Sequence, residues 1–164
     1  MKSLAIFLCV IFCNTSYIIN SLTFGGHKLT LEEAERILGE SCLLEEDTSL
    51  TTNGGHKYKS TYRAHSSNKK SDNKVALYFS FESYKDETSA KEIFNTFKVS
   101  NQAHNGFEML SLGDESFFQT DSKNFCVIIV RKENEMVLLK VNKLTSKTSV
   151  AELKKIAANV IERV

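Results

Sequence analysis

Apolar and polar positions alternate along much of this chain with a period of two. In Lys57–Ala64, Tyr58, Tyr62 and Ala64 share one parity and Lys57, Lys59 and Arg63 the other. Val75, Leu77, Phe79 and Phe81 alternate with Ala76, Tyr78, Ser80 and Glu82. This is the signature of half-buried strands. Three more runs follow, Ser116–Thr120, Phe125–Arg131 and Glu135–Asn142, separated by polar turns. They read as strands joined by hairpins. The middle run is apolar on both parities, so its sheet must be covered on both faces.

Elsewhere the period lengthens to that of a helix. Leu29–Gly39 carries Leu31, Ala34, Ile37 and Leu38 on one stripe, with Thr30 and Glu33 spaced as a capping box. Asp86–His104 places Ala90, Ile93, Phe94 and Phe97 on another, stopped by Asn105-Gly106. Ser149 and Glu152 open a last helix, whose stripe is Leu153, Ile156, Ala157, Val160 and Ile161. Leu43–Leu44 begins a short extended piece, Glu45–Gly55 reads as a polar hairpin tip, and residues 66–74 as a solvated connection. The expected architecture is α+β: an antiparallel sheet of about five to six strands flanked by three helices, in the order α-β-β-α-β-β-β-α.

Residues 1–12 differ from everything after them. One lysine precedes the unbroken apolar run LAIFLCVIF. That run suits an export leader and is too short for a spanning helix, which needs about 20 apolar residues. The chain therefore divides into a leader at 1–21, a linker at 22–28 and one domain at 29–164. The expected location is extracytoplasmic, secreted or periplasmic. Cys13 is a candidate lipid acceptor; the bulky Phe12 before it favours soluble export, with acylation as the alternative.

Length and charge narrow the picture further. At 164 residues there is room for one domain with a proper core. With 21 basic and 20 acidic residues, the balance gives no support for a nucleic-acid partner or a strongly anionic membrane surface. Of four cysteines, Cys42 and Cys126 fall in the domain, and export would permit a disulfide between them. No closely spaced cysteine pair lies in the domain, and no glycine-rich phosphate loop or nucleophile elbow is present. The four histidines, His27, His56, His65 and His104, are scattered. Cys126 sits in mid-strand, where a thiol behaves as a small inert hydrophobe. No metal or other cofactor is expected, nor a catalytic centre.

The clearest concentration of charge is on the first alternating strand. Lys57, Lys59, Arg63 and His65 share parity and stand in a row. They are the candidate binding residues for an anionic ligand or an envelope partner's carboxylates. The alternative is a solvated sheet face neutralised by neighbouring acids.

Three stretches, LTLEEAERILGES, LSLGDESFF with VRKENEMVLLKVNKLT, and SVAELKKIAANVIERV, together resemble small bacterial extracytoplasmic proteins, many of them lipoprotein-like and uncharacterised. The arrangement is also similar to the PsbP/Mog1-type α/β sandwich. The resemblance implies a fold and a compartment and carries no catalytic residue onto this chain. The functional expectation is a non-catalytic binding or accessory module. An enzyme with an unrecognised site, or a structural or inhibitory envelope protein, is the alternative.

Overall fold

The computed structural model describes residues 28–52, 54–66 and 74–163. The leader, Cys13 and His27 lie outside the described residues. The elements in order are α1 (Leu31–Leu38), β1 (Cys42–Thr52), β2 (Gly55–Ala64), β3 (Ala76–Tyr84), α2 (Glu87–Gln102), β4 (Phe107–Leu110), β5 (Glu115–Thr120), β6 (Cys126–Lys132), β7 (Glu135–Val141) and α3 (Val150–Glu162). Among the described residues seven strands form one antiparallel sheet in the order β1-β2-β3-β7-β6-β5-β4. The α+β class and three helices agree with the pattern along the sequence. Five to six strands is an underestimate.

The difference arises at the two edges. Glu45–Gly55, read as a hairpin tip, supplies most of β1, and only the turn beyond Thr52 is a tip. Of the eleven residues of β1, only Cys42 is buried. An edge strand paired on one side by backbone alone needs no apolar alternation. At the other edge, β4 has only four residues, too few to show a period.

Helix ends follow local chemistry. Thr30 caps α1 and completes the box with Glu33. Gly39 ends it at φ 72, a left-handed conformation, and a Cβ there would strike the Lys147 carbonyl oxygen. Asp86 caps α2 through the amide of Ser89 at 2.8 Å. Ser149 caps α3 through the amide of Glu152 at 3.2 Å, but the Glu152 carboxylate turns to Arg36 at 3.6 Å. Leu31, expected on the buried stripe of α1, is exposed, and Glu33 is buried in its place. Glu33 gains Arg163 at the far end of α3 as its ion partner.

The sheet separates two unequal cores. On the first face, α1 and α3 bury Ile37, Leu38, Leu153, Ile156 and Val160 against Tyr62, Leu77, Phe79, Ile128 and Leu139. On the second face, α2 alone inserts Phe94 among Phe117, Val127, Ile129 and Met136. The demand for cover on both sides of β6 is met: every residue from Cys126 to Arg131 is buried.

Cys42 and Cys126 belong to the same first-face core, yet both are free thiols. Export would permit a bond between them, but strand order keeps the two apart. β1 and β6 are separated by β2, β3 and β7. Four strand spacings amount to roughly 19 Å, well beyond the Cα separation a disulfide tolerates.

Candidate functional site

The second face is only half covered. α2 packs over β3, β7 and β6. Toward β1 the sheet surface lies open beside the helix, and the step between them forms a groove of about 380 Å³. Strand parity decides which side chains enter it. Tyr58, Ser60 and Tyr62 are buried toward the first face, so Lys57, Lys59 and Thr61 project to the second. Leu77, Phe79 and Phe81 of β3 do the same, leaving Tyr78, Ser80 and Glu82 on the groove side. β7 adds Met136 and Leu138, β1 adds Glu46, and α2 contributes Phe97. Phe97 and Tyr78 are 36% and 40% exposed, and they line one groove together with Met136 and Leu138.

The groove thus has an apolar floor toward α2 and a charged rim toward β1. The rim charges are unequal in their freedom. Lys57 forms an ion pair with Glu82. Glu82 also accepts from Tyr84 OH at 2.9 Å and Ser80 Oγ at 3.3 Å. Arg63 pairs with Glu45, next to the irregularity in β1 between Leu44 and Glu46, and does not line the groove. Thr61 Oγ1 donates to Glu46 at 3.4 Å. Lys59 is exposed, opposite Thr48, and has no carboxylate in ion-pair contact among the described residues. His65 lies in the turn after β2, exposed, with its backbone N–H donating to Ser41. Of the row Lys57, Lys59, Arg63 and His65, the groove therefore gathers the first two.

The pattern of the sequence missed Glu46, Tyr78, Ser80, Glu82, Phe97, Met136 and Leu138 as neighbours of those lysines. Part of the signal was present. Tyr78, Ser80 and Glu82 share parity, and a strand with polar residues on one side faces something other than the core.

Burial raises the Glu82 carboxyl, but hydrogen bonds from Lys57, Tyr84 and Ser80 and the Lys57 charge outweigh it, and the net shift is below the ordinary 4.5. A depressed carboxyl stabilises the fold fully above its unfolded value, and the contribution is lost as pH falls through its folded value. The urea midpoint is therefore expected to drop as pH is lowered below about 4.5, and Glu82→Gln is expected to flatten part of that drop. An acid limb of identical depth in Glu82→Gln would remove this group as a source.

Two other depressions are less suited to a ligand. One of about 220 Å³ sits at the β1–β2 tip beside Leu50, His56 and Tyr84. The other, about 560 Å³, lies between the end of α2 and the β5–β6 turn, lined by His104, Gln119, Asp121 and Phe125. Its one carboxylate is already occupied: Asp121 accepts from the backbone amides of Lys123, Asn124 and Phe125. These bonds, led by Asn124, hold Asp121 far below its usual range. Among the described residues, no three His, Cys, Asp or Glu side chains gather as metal ligands would.

No family model, no curated protein and no solved structure matches this chain.

Proposed function

We propose that this protein is a non-catalytic extracytoplasmic binding or accessory domain, and that the groove between α2 and the open half of the sheet holds its ligand. The observation that carries the reading is the pairing of an apolar floor with a cation that has no carboxylate partner among the described residues. Phe97, Tyr78, Met136 and Leu138 offer the floor, and Lys59 stands at the rim. Pockets that take small ligands have this make-up: mostly apolar lining, a few hundred Å³, and a small number of oriented polar groups. The ligand class that fits is an amphipathic anion, or a partner's acidic side chain flanked by apolar ones.

Other features support a role without covalent chemistry. Burial pushes both the Cys42 and Cys126 thiols up to about 11, the reverse of what a nucleophile needs. The extracytoplasmic location rests on the apolar leader at residues 1–21, with acylation of Cys13 as its membrane-anchored variant. We also read the layered arrangement, with helices on both faces of an antiparallel sheet, as being of the PsbP/Mog1 kind.

Anilinonaphthalenesulfonate, an amphipathic anion of suitable size, tests the groove directly. The native protein is expected to enhance its fluorescence saturably, and Lys59→Glu is expected to weaken that binding about tenfold, as loss of one charge-assisted contact does. Equal binding by Lys59→Glu, or no enhancement by the native protein, would overturn the assignment.

A further inference from the structure

Among the described residues the sheet has two open edges, and they are guarded unequally. β4 is protected by being short. β1 is eleven residues long and exposed almost throughout. Its first half carries the usual defences. The register shifts between Leu44 and Glu46, and Glu45, Glu46 and Asp47 follow one another. These acids are engaged within the fold, by Arg63, Thr61 and Lys28 respectively. The second half, Thr48-Ser49-Leu50-Thr51-Thr52, has no charge, no proline and no bulge. Leu50 is 61% exposed.

The direction of the free backbone groups can be read from β2. The His56 amide donates to Ser83 Oγ and the Ala64 amide to the Val75 carbonyl, both toward β3. Even-numbered residues of β2 therefore face β3, and odd-numbered ones face β1. On β1, Thr48, Leu50 and Thr52 lie opposite Lys59, Lys57 and Gly55 and use their N–H and C=O groups on β2. Asp47, Ser49 and Thr51 turn theirs outward.

We propose that β1 is a self-association edge: two copies pair their β1 strands antiparallel about a two-fold axis through Leu50. The sequence is close to a palindrome about that residue. Leu50 then faces the partner's Leu50, Ser49 the partner's Thr51, and Thr48 the partner's Thr52. Ser49 and Thr51 are the residues with outward backbone groups, so the two flanking pairs exchange both of their hydrogen bonds. Leu50, whose backbone groups point to β2, falls at the close, non-hydrogen-bonded position, where side chains touch best. Asp47, Glu46 and Glu45 run past the end of the partner's strand, so no like charges meet across the axis. A foreign strand could use the same edge, but only a second copy satisfies this symmetry. Leu50 and Thr48 lie opposite Lys57 and Lys59, so pairing would set the two open half-faces side by side.

Sedimentation velocity of the full chain tests the proposal. The expected result is a reversible, concentration-dependent dimer. Leu50→Glu is expected to abolish it, because the new carboxylate sits beside Lys57 within one copy and opposite itself across the axis. Its thermal midpoint should stay at the native value. Leu50→Cys is expected to give an oxidised dimer far more readily than Ser49→Cys, since Cα atoms of a non-hydrogen-bonded pair are about 4.5 Å apart. A monomer at every concentration would leave the edge to a foreign strand and overturn self-pairing. A dimer that Leu50→Glu leaves intact, or crosslinking as ready from position 49 as from 50, also overturns it.

Discussion

Replacing Arg131 by alanine is expected to lower the unfolding free energy by about 3 kcal/mol, the low end of the cost of breaking a buried ion pair. Arg131 is 3% exposed, in the middle layer of the second face. Its Nε donates to Glu115 at 3.0 Å, and its Nη1 to Asp114 at 3.1 Å and the Glu133 carbonyl at 2.8 Å. Glu87, in the first turn of α2, lies at 3.5 Å. One guanidinium thus ties β5, the turn before it, the β6–β7 hairpin and the start of α2. The acids reach water at the far side, with Glu87 and Asp114 well exposed, so alanine leaves them solvated and the cost falls short of the range's top. Methionine at the same position fills the volume without the charge and should recover part of the loss. Urea unfolding measures this; a loss under about 1 kcal/mol would place the cluster among ordinary surface ion pairs.

Phe94→Ala is expected to be at least as costly, about 3–5 kcal/mol for removal of a buried ring. It also carries a local consequence. α2 buries only Ala90 and Phe94, so this ring is its one large anchor. Phe94 meets Phe117 at 5.7 Å between centroids, and Phe107 meets Phe117 at 5.2 Å. Offset and tilted aromatic pairs of this kind add to simple burial. With the ring gone, α2 loses its seat and the groove loses its Phe97 wall. The dye signal should vanish at urea concentrations where the sheet is still folded. Phe97→Ala, at a half-exposed position, should cost less than about 1 kcal/mol while still weakening the dye. Equal stability losses at 94 and 97 would contradict this account of how the helix is held.

What could be read from the sequence, and what could not, follows from where each signal originates. Thr30 with Glu33, Asp86 and Ser149 announce helix starts because capping is local chemistry among neighbours in sequence. Tyr58 to Ala64 and Val75 to Glu82 announce strands because burial on one face imposes a period. β1 escaped because its partner is a backbone: Thr48, Leu50 and Thr52 are held by β2 without any side chain being buried. That the permitted disulfide does not form has a different reason. Sharing a core does not give proximity, and the strand order that places three strands between Cys42 and Cys126 is a property of the whole sheet. The groove combines both cases. Lys57 and Lys59 were singled out by parity alone. That Phe97 stands beside them depends on which half of the face α2 covers, and Phe94 settles that only by packing into one core with Phe117 and Met136.

The strand order has a kinetic side. Every pairing in the sheet joins neighbours in sequence except one, the contact of β3 with β7. Closing a long loop is the slow, entropically costly step in assembling β structure, and here that cost is concentrated in one seam. On one side of it, β1 to β3 form a meander of their own; on the other, β4 to β7 form a second. The groove straddles the join, with Lys57, Lys59 and Tyr78 from the first meander and Met136 and Leu138 from the second. Neither half of the chain contains it, so binding competence arrives only when the seam has closed.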